Sequence, residues 1–320
     1  MSKEFKIICN MTQQVLKNYV EIRLAATHDN IVKGDGYVFA QGEFPVLLVA
    51  HLDTVHDQLP GKIKYDKKLG ALWSPHGIGG DDRCGVYMIL QVVKKYNCSV
   101  LFCEDEEIGG VGATKFTKSE VAKGLSFNYI IEFDRKGSND AVFYDCGNKD
   151  FEEFITKEFY ETAYGSFSDI SYLAPALGCA AVNLSCGYYN AHSKKEYVVL
   201  DEMEESIAQA CKILDRTTEA DKFEYIEAPR NYGRYGGYGN YTWWDYGDYG
   251  SSQNNGYRSQ YEEKYYLIEF VDNEGKEYCD EQWANSVAEA IGKFVIDYPN
   301  IPYSQVTTVW DEEALGYGVY

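Results

Sequence analysis

The sequence predicts an α/β protein in three layers, helices covering both faces of a mixed, mostly parallel sheet, with a small β-β-α-β module at its carboxyl end. Three observations carry this. Up to residue 228, short apolar runs suited to buried strands alternate with segments whose apolar residues recur at helical spacing. From Asn231 to Tyr261 the composition turns abruptly to Tyr, Gly, Asn, Ser and isolated charges. Strand and helix patterns then resume to the end of the chain.

Residues 12–25 read as the first helix. Val46-Leu47-Leu48-Val49-Ala50 is an unbroken apolar run, the pattern of a strand covered on both faces. A helix is predicted over 82–96, where Val86, Ile89, Leu90 and Val93 share one face. Ser99-Val100-Leu101-Phe102-Cys103, Tyr129-Ile130-Ile131-Glu132-Phe133 and Ala180-Ala181-Val182-Asn183-Leu184 repeat the buried-strand pattern, and helices are predicted over 151–162 and 201–216. Residues 229–263 offer hardly an aliphatic side chain to bury; a segment that cannot offset its ordering entropy is expected to be a flexible linker, or, by its aromatic content, an adhesive one. Beyond it, 265–271 reads as a strand and 272–275 as a turn. Residues 286–297 read as a helix with Val287, Ile291, Phe294 and Val295 on one face, stopped by Pro299, and 303–310 as a last strand. The expected units are therefore 1–228, 229–263 and 264–320. The last holds 3 basic and 11 acidic residues, has no catalytic constellation, and is expected to bind or assemble with a protein partner.

Composition excludes several functions. The 320 residues are 45% hydrophobic, enough for a sizeable core. Thirty basic against fifty acidic residues give a net charge of −20, which repels phosphate backbones, so nucleic acid is not an expected partner. The longest apolar runs, such as 44–50, fall far short of the roughly 20 residues a membrane-spanning helix needs. The amino terminus does not resemble a signal peptide, and nine cysteines without a C-x-x-C pair read as reduced core thiols, so a cytoplasmic location is expected.

Ligand sites in open α/β sheets gather where strands end at their carboxyl edge. The first buried strand runs into His51-Leu52-Asp53, where residues two apart share a face and the carboxylate can orient the imidazole. Alone, that pair is unspecific. Gly79-Gly80-Asp81-Asp82-Arg83-Cys84-Gly85 opens the next helix; its acids suit an ordinary helix cap, Asp81 accepting an amide and Asp82 meeting the dipole, yet a carboxylate there could equally bridge two cations. The second strand leaves into Glu104-Asp105-Glu106-Glu107, the third ends in Asp134-Arg135, and the fourth leads to His192. His51, Asp81, Glu107, Asp134 and His192 thus form one set of nitrogen and oxygen donors at one edge, without thiolates, which suits zinc, cobalt or manganese. His28, His56 and His76 have no such partners and read as surface or turn residues.

The ordered motifs H-L-D-T-V, G-G-D-D-R-C-G, E-D-E-E-I-G-G-V-G-A, E-F-D-R and A-H-S-K-K-E-Y resemble those of the co-catalytic di-zinc exopeptidase superfamily, which includes aminopeptidases, tripeptidases and carboxypeptidases. The resemblance spans roughly residues 14–216 and implies two divalent metal ions, most simply zinc. It implies His51 and Asp134 on one metal, Glu107 and His192 on the other, and Asp81 between them. Asp53 would stand behind His51, and Glu106 would be the general base for a two-metal-activated water in peptide hydrolysis. The resemblance further implies a cis peptide bond between Asp81 and Asp82, and 166–170 looks like the S-D loop of the aminopeptidase branch. Tyr188 or Tyr189 could add a hydrogen bond to the oxyanion.

Relatives that recognise a substrate carboxylate do so with a lid inserted where this chain has only 58 positions between Asp134 and His192. The step from Asp53 to Asp81 is 28 positions and equally full. An aminopeptidase acting on peptides is therefore expected. The alternatives are a deacylase of N-acyl amino acids, a non-catalytic binding protein on the same fold, and an assembly protein acting through the Tyr/Gly segment.

Overall fold

A computed structural model describes residues 3–165, 167–227, 264–271, 277–284 and 306–311, with residues 294 and 298. Helices α1 (Lys3–Cys9) and α2 (Gln13–Leu24) lead into a hairpin of β1 (Asn30–Gly34) and β2 (Tyr37–Gln41), and β3 (Phe44–His51) enters the core. A small hairpin, β4 (Lys64–Asp66) and β5 (Ala71–Trp73), precedes α3 (Gly80–Val92), β6 (Cys98–Cys103) and α4 (Val111–Thr117). Then come β7 (Tyr129–Arg135), β8 (Asp140–Val142), α5 (Lys149–Ile155), β9 (Glu161–Ala163), α6 (Ile170–Leu177) and β10 (Ala181–Ser185). The unit closes with β11 (Tyr188–Tyr189), β12 (Tyr197–Val199) and α7 (Leu200–Arg216).

The main sheet has the order β1-β2-β6-β3-β7-β10-β8-β9. Its centre, β6-β3-β7-β10, is parallel, while β1, β2 and β8 join antiparallel to their inner neighbours, so the sheet is mixed and mostly parallel as predicted. Side chains alternate across a strand. Val46, Leu48 and Ala50 of β3, with Val100 and Phe102 of β6, therefore join one core, with Phe5, Leu16, Ile89, Phe151 and Met203 from the helices over that face. Leu47, Val49 and Leu101 point the other way, onto Ala113 and Phe116 of α4 and Ile170 and Leu173 of α6. Both faces are dry, which is why these strands are continuously apolar and why the fold has three layers. Each fully buried Val, Leu or Ile there contributes roughly 1.5–3 kcal/mol.

Thr12 caps α2, its hydroxyl accepting the Val15 N–H at 3.4 Å, so that helix matches the expectation closely. The helix expected over 151–162 is shorter. It ends at Ile155, and residues 161–163 are taken into β9 by parallel pairing with β8, sheet pairing overriding local helical pattern. The intervals from Asp53 to Asp81 and from Asp134 to His192 hold only the β4-β5 hairpin and the run β8 to β11, with no inserted domain among the described residues. Among those residues no helix is long and apolar enough to cross a membrane.

Near the carboxyl end, β13 (Lys264–Val271), β14 (Glu277–Ala284) and β15 (Val306–Asp311) form an antiparallel sheet of order β14-β13-β15. Phe270 packs on Phe294 with ring centroids 4.7 Å apart, and Tyr298 stacks on Phe294 at 4.9 Å. The predicted linker, the turn at 272–275 and the body of the helix at 286–297 lie outside the described residues.

Among the described residues eight cysteines are free thiols, seven of them buried. Burial raises them, Cys146 and Cys179 to about 12, so the reactive thiolate is scarce at neutral pH. Ellman's reagent added to native protein is expected to label at most Cys211 and Cys279 rapidly, the other seven reacting only on unfolding. Rapid labelling of most of the nine would contradict this core.

Candidate active site

The four parallel strands end at one edge, and the loops beyond them converge. His51, the last residue of β3, is fully buried. Its Nδ1 lies 3.1 Å from Asp53 Oδ1, and its Nε2 lies 3.1 Å from Asp81 Oδ1 and 3.4 Å from Asp134 Oδ1. Asp81 reaches the other way too, its Oδ2 standing 3.2 Å from His192 Nε2, which is also 3.1 Å from Glu107 Oε2. Two clusters result, His51-Asp81-Asp134 and Asp81-Glu107-His192, each with donor atoms within 4.8 Å of one another, and Asp81 belongs to both. The five residues singled out in the sequence are thus brought together.

The run of four acids leaving β6 divides in two. Glu104 is buried against Lys17 Nζ at 2.5 Å and Asp105 Oδ1 accepts from Gln13 at 3.1 Å, so α2 neutralises the first acid and hydrogen-bonds the second. Glu106 and Glu107 instead line a cavity of about 640 Å³ shared with Asp81, Asp134, Arg135, Lys136, Tyr144, Phe167 and His192. Asp53 positions both, one carboxylate oxygen accepting the Glu106 N–H and the other the Glu107 N–H, each at 3.0 Å. The acid expected only behind His51 therefore also aims the acidic loop.

Crowding of like charge shows in the proton affinities. Burial, then the Asp134, Asp169 and Glu107 carboxylates, outweigh His51 and push Glu106 up to about 9. Burial and Asp81 hold Asp134 at about 7. Burial would raise Asp53 as well, but the hydrogen bond and charge of His51 and the two backbone N–H groups take it down to about 2. Hydrogen bonds to Asp81 and Glu107 lift His192 to about 10. Burial opposes the charge on His51, but Asp134, Asp53 and Asp81 together raise it well above its ordinary value.

This donor set fits divalent cations. Two imidazoles face three carboxylates at the spacing of two neighbouring ligand shells, and Glu107 Oε1 is buried without a hydrogen-bond partner. Lys17 and Arg83 are turned elsewhere, Arg83 donating to the carbonyls of Met11, at 3.1 Å, and Leu52, while Arg135 on the cavity wall is paired with Asp140 at 3.0 Å.

Sequence reasoning missed several supporting groups. The helix cap is Asp82, which accepts the His51 N–H at 3.2 Å and the Gly85 N–H at 2.8 Å, leaving Asp81 free for the clusters. The Asp81-Asp82 peptide bond is cis, as the resemblance implied. Asn183 in β10 accepts the Asp134 N–H at 2.8 Å and returns a bond to its carbonyl at 3.2 Å; an amide within an apolar strand was the available signal. Tyr188 donates to the Asp134 carbonyl at 3.0 Å, with Asp134 Oδ1 3.3 Å away, and Tyr189 to Glu202 at 2.5 Å, so both hydroxyls suggested for an oxyanion already have acceptors. His28 is no surface residue, being buried with Nε2 2.8 Å from the Cys98 carbonyl, and His56 is held against Glu196 at 2.7 Å. In the S-D loop, Ser168 and Asp169 are fully buried and Ser168 donates to Glu132.

No protein-family model matches the sequence, and no curated protein does. Solved structures do. Aminopeptidase PepT of Bacillus cereus superposes with a TM-score of 0.52 at 12% identity, over 66% of this chain and 96% of that one. A tripeptidase of Staphylococcus aureus gives 0.53 at 12%, over 66% and 95%. An aminopeptidase of the archaeon Desulfurococcus kamchatkensis gives 0.52 at 15%, over 68% and 94%. The chain shares the fold of these structures.

Proposed function

We propose that this chain is a metal-dependent hydrolase of the co-catalytic di-zinc exopeptidase superfamily, acting as an aminopeptidase on peptides. The observation that carries the reading is the placement of Asp81 between two donor clusters, with Glu106 beside them on the cavity wall. Its likeness in fold to solved aminopeptidases supports it. His51 and Asp134 would hold one divalent cation and Glu107 and His192 the other, with Asp81 common to both. Bound there, the two ions supply Lewis acidity to a peptide carbonyl and make water a nucleophile near neutral pH.

The chain's own groups do the rest. Glu106 is the general base, taking a proton from the attacking water and delivering it to the leaving amine. The Asp53 carboxylate, accepting the Glu106 N–H at 3.0 Å, fixes where this base stands. With no inserted lid among the described residues to hold a substrate carboxylate, a free substrate amine is the simpler anchor in the cleft around Glu106 and Asp134. The same reading assigns 1–228 to the catalytic unit, 229–263 to a linker and 264–320 to an acidic binding module. The buried free thiols support a reducing, cytoplasmic setting.

One observation favours a second reading, deacylation of N-acyl amino acids: Arg135 and Lys136 also line the cavity and could meet a substrate carboxylate. A panel of aminoacyl anilides, free and amino-blocked peptides, and N-acetyl amino acids, offered to zinc-, cobalt- or manganese-loaded protein, separates the two. Release of the first residue from free-amine substrates, with blocked ones inert, is the expected result. Preference for N-acylated substrates would establish the second reading, and carboxyl-terminal cleavage would refute the aminopeptidase assignment.

A further inference from the structure

The loop that carries Asp81 is held from outside by a single buried side chain. Glu196 is fully buried at the entry to β12. Its Oε1 accepts the Asp81 N–H at 3.0 Å, its Oε2 accepts the Gly79 N–H at 2.7 Å, and the same Oε2 lies 2.7 Å from His56 Nε2. Three donors meet two carboxylate oxygens, an arrangement matched by an acceptor-only group. A glutamine would have to turn an NH₂ toward one of them.

The segment before Asp81 is shaped to this contact. A Cβ on Gly77 would fall 2.2 Å from His56 Cε1, and one on Gly80 2.8 Å from Tyr188 Cβ and 3.4 Å from Glu196 Oε1, so the backbone lies directly on the imidazole and the carboxylate. Asp81 itself is off helical geometry, at φ −85° and ψ 100°, inside what is otherwise the first turn of α3. Anchoring its N–H to Glu196 removes that amide from the helix and leaves the side chain facing His51 and His192. Glu196 also follows His192 by four residues, and its own N–H donates to the Ser193 carbonyl at 3.0 Å, closing the turn on which His192 sits. One residue therefore ties together the two loops that supply Asp81 and His192.

We propose that Glu196, backed by His56, is the positioning residue that fixes Asp81 between the two clusters and sets their spacing. It touches no reacting atom. This rests on the metal-dependent reading above, and its effect is transmitted through Asp81, so it is read first in metal binding. Outer partners of this kind alter metal affinity by about 10–100-fold when removed.

The experiment compares wild type with Glu196→Gln, nearly isosteric, and His56→Ala, which removes the backing imidazole but leaves both amide bonds. Zinc affinity and stoichiometry are measured by competition with a chromophoric chelator, the visible spectrum is recorded after cobalt(II) loading, and kcat and KM are determined on the best peptide substrate. Leu173→Ala, a core change in α6 on the other face of the sheet, controls for general loosening. Glu196→Gln is expected to weaken zinc by about 10–100-fold, alter the cobalt spectrum and lower kcat with KM within about twofold, and His56→Ala to shift all three in the same sense by less. Wild-type affinity and spectrum in Glu196→Gln would overturn the proposal while leaving the metal reading intact, as would a loss no larger than that of Leu173→Ala at equal melting temperature. Failure of the wild type itself to bind zinc would remove both.

Discussion

Asp81→Ala is expected to empty both cation positions and reduce peptide hydrolysis to background. The reason is geometric: one carboxylate oxygen stands with His51 and the other with His192, so a single truncation removes a donor from each cluster and leaves the facing carboxylates to repel. Removing any other donor of the set touches one cluster only. Elemental analysis of the purified variant should find less than one equivalent of zinc where the wild type holds two. The wild type stripped by exhaustive chelation should be equally inactive and should recover when zinc, cobalt or manganese is returned, because water is made nucleophilic at neutral pH only by the ions. Undiminished turnover in wild type shown to be metal-free would end the metal-dependent reading.

Glu106→Gln is expected to do the opposite to metal content and nearly the same to rate. Its side chain lines the cavity without belonging to either donor cluster, so zinc should stay near two equivalents while kcat falls at least ~10²-fold, the loss typical of a missing general base. Glu107→Gln, one residue on, should weaken one ion instead, since its Oε2 faces His192 and its Oε1 is buried and otherwise without a partner. Metal analysis and steady-state kinetics on the two variants together fix the register of the acidic loop. Should Glu106→Gln lose the ion and Glu107→Gln keep it, the assignment is shifted by one position.

The candidate site was legible because strand ends are legible. Four continuous apolar runs announced strands covered on both faces, and a histidine or an acid at or beyond each end had to lie at one edge. What stayed hidden was the support. Glu196 and His56 are single residues 140 positions apart in the chain, and no spacing rule joins them. Asn183 carried a weak signal, an amide in a core strand, which could equally have marked an edge. The hairpin β1-β2 was missed because β1 is mostly exposed and shows no apolar alternation, its pairing being decided by β2, which is buried against β6. The helix over 151–162 was overextended because nothing local reveals that β8 will capture residues 161–163. Tertiary pairing set both outcomes.

The order in which the donors occur along the chain has a consequence for biosynthesis. They come from five segments, from His51 to His192, and the last follows β10, one of the four central parallel strands. A nascent chain that has left the ribosome as far as α5 contains His51, Asp81, Glu107 and Asp134, yet lacks His192, the Glu196 tie and the strand that supplies Asn183 to Asp134. On the reading proposed above, filling of the second cluster, Asp81-Glu107-His192, is therefore a late event that follows formation of β10, and the binding energy of that ion adds only to a fold that has its last central strand. On the same reading, a truncated product ending before residue 192 lacks one donor of the second cluster and is expected to be inactive.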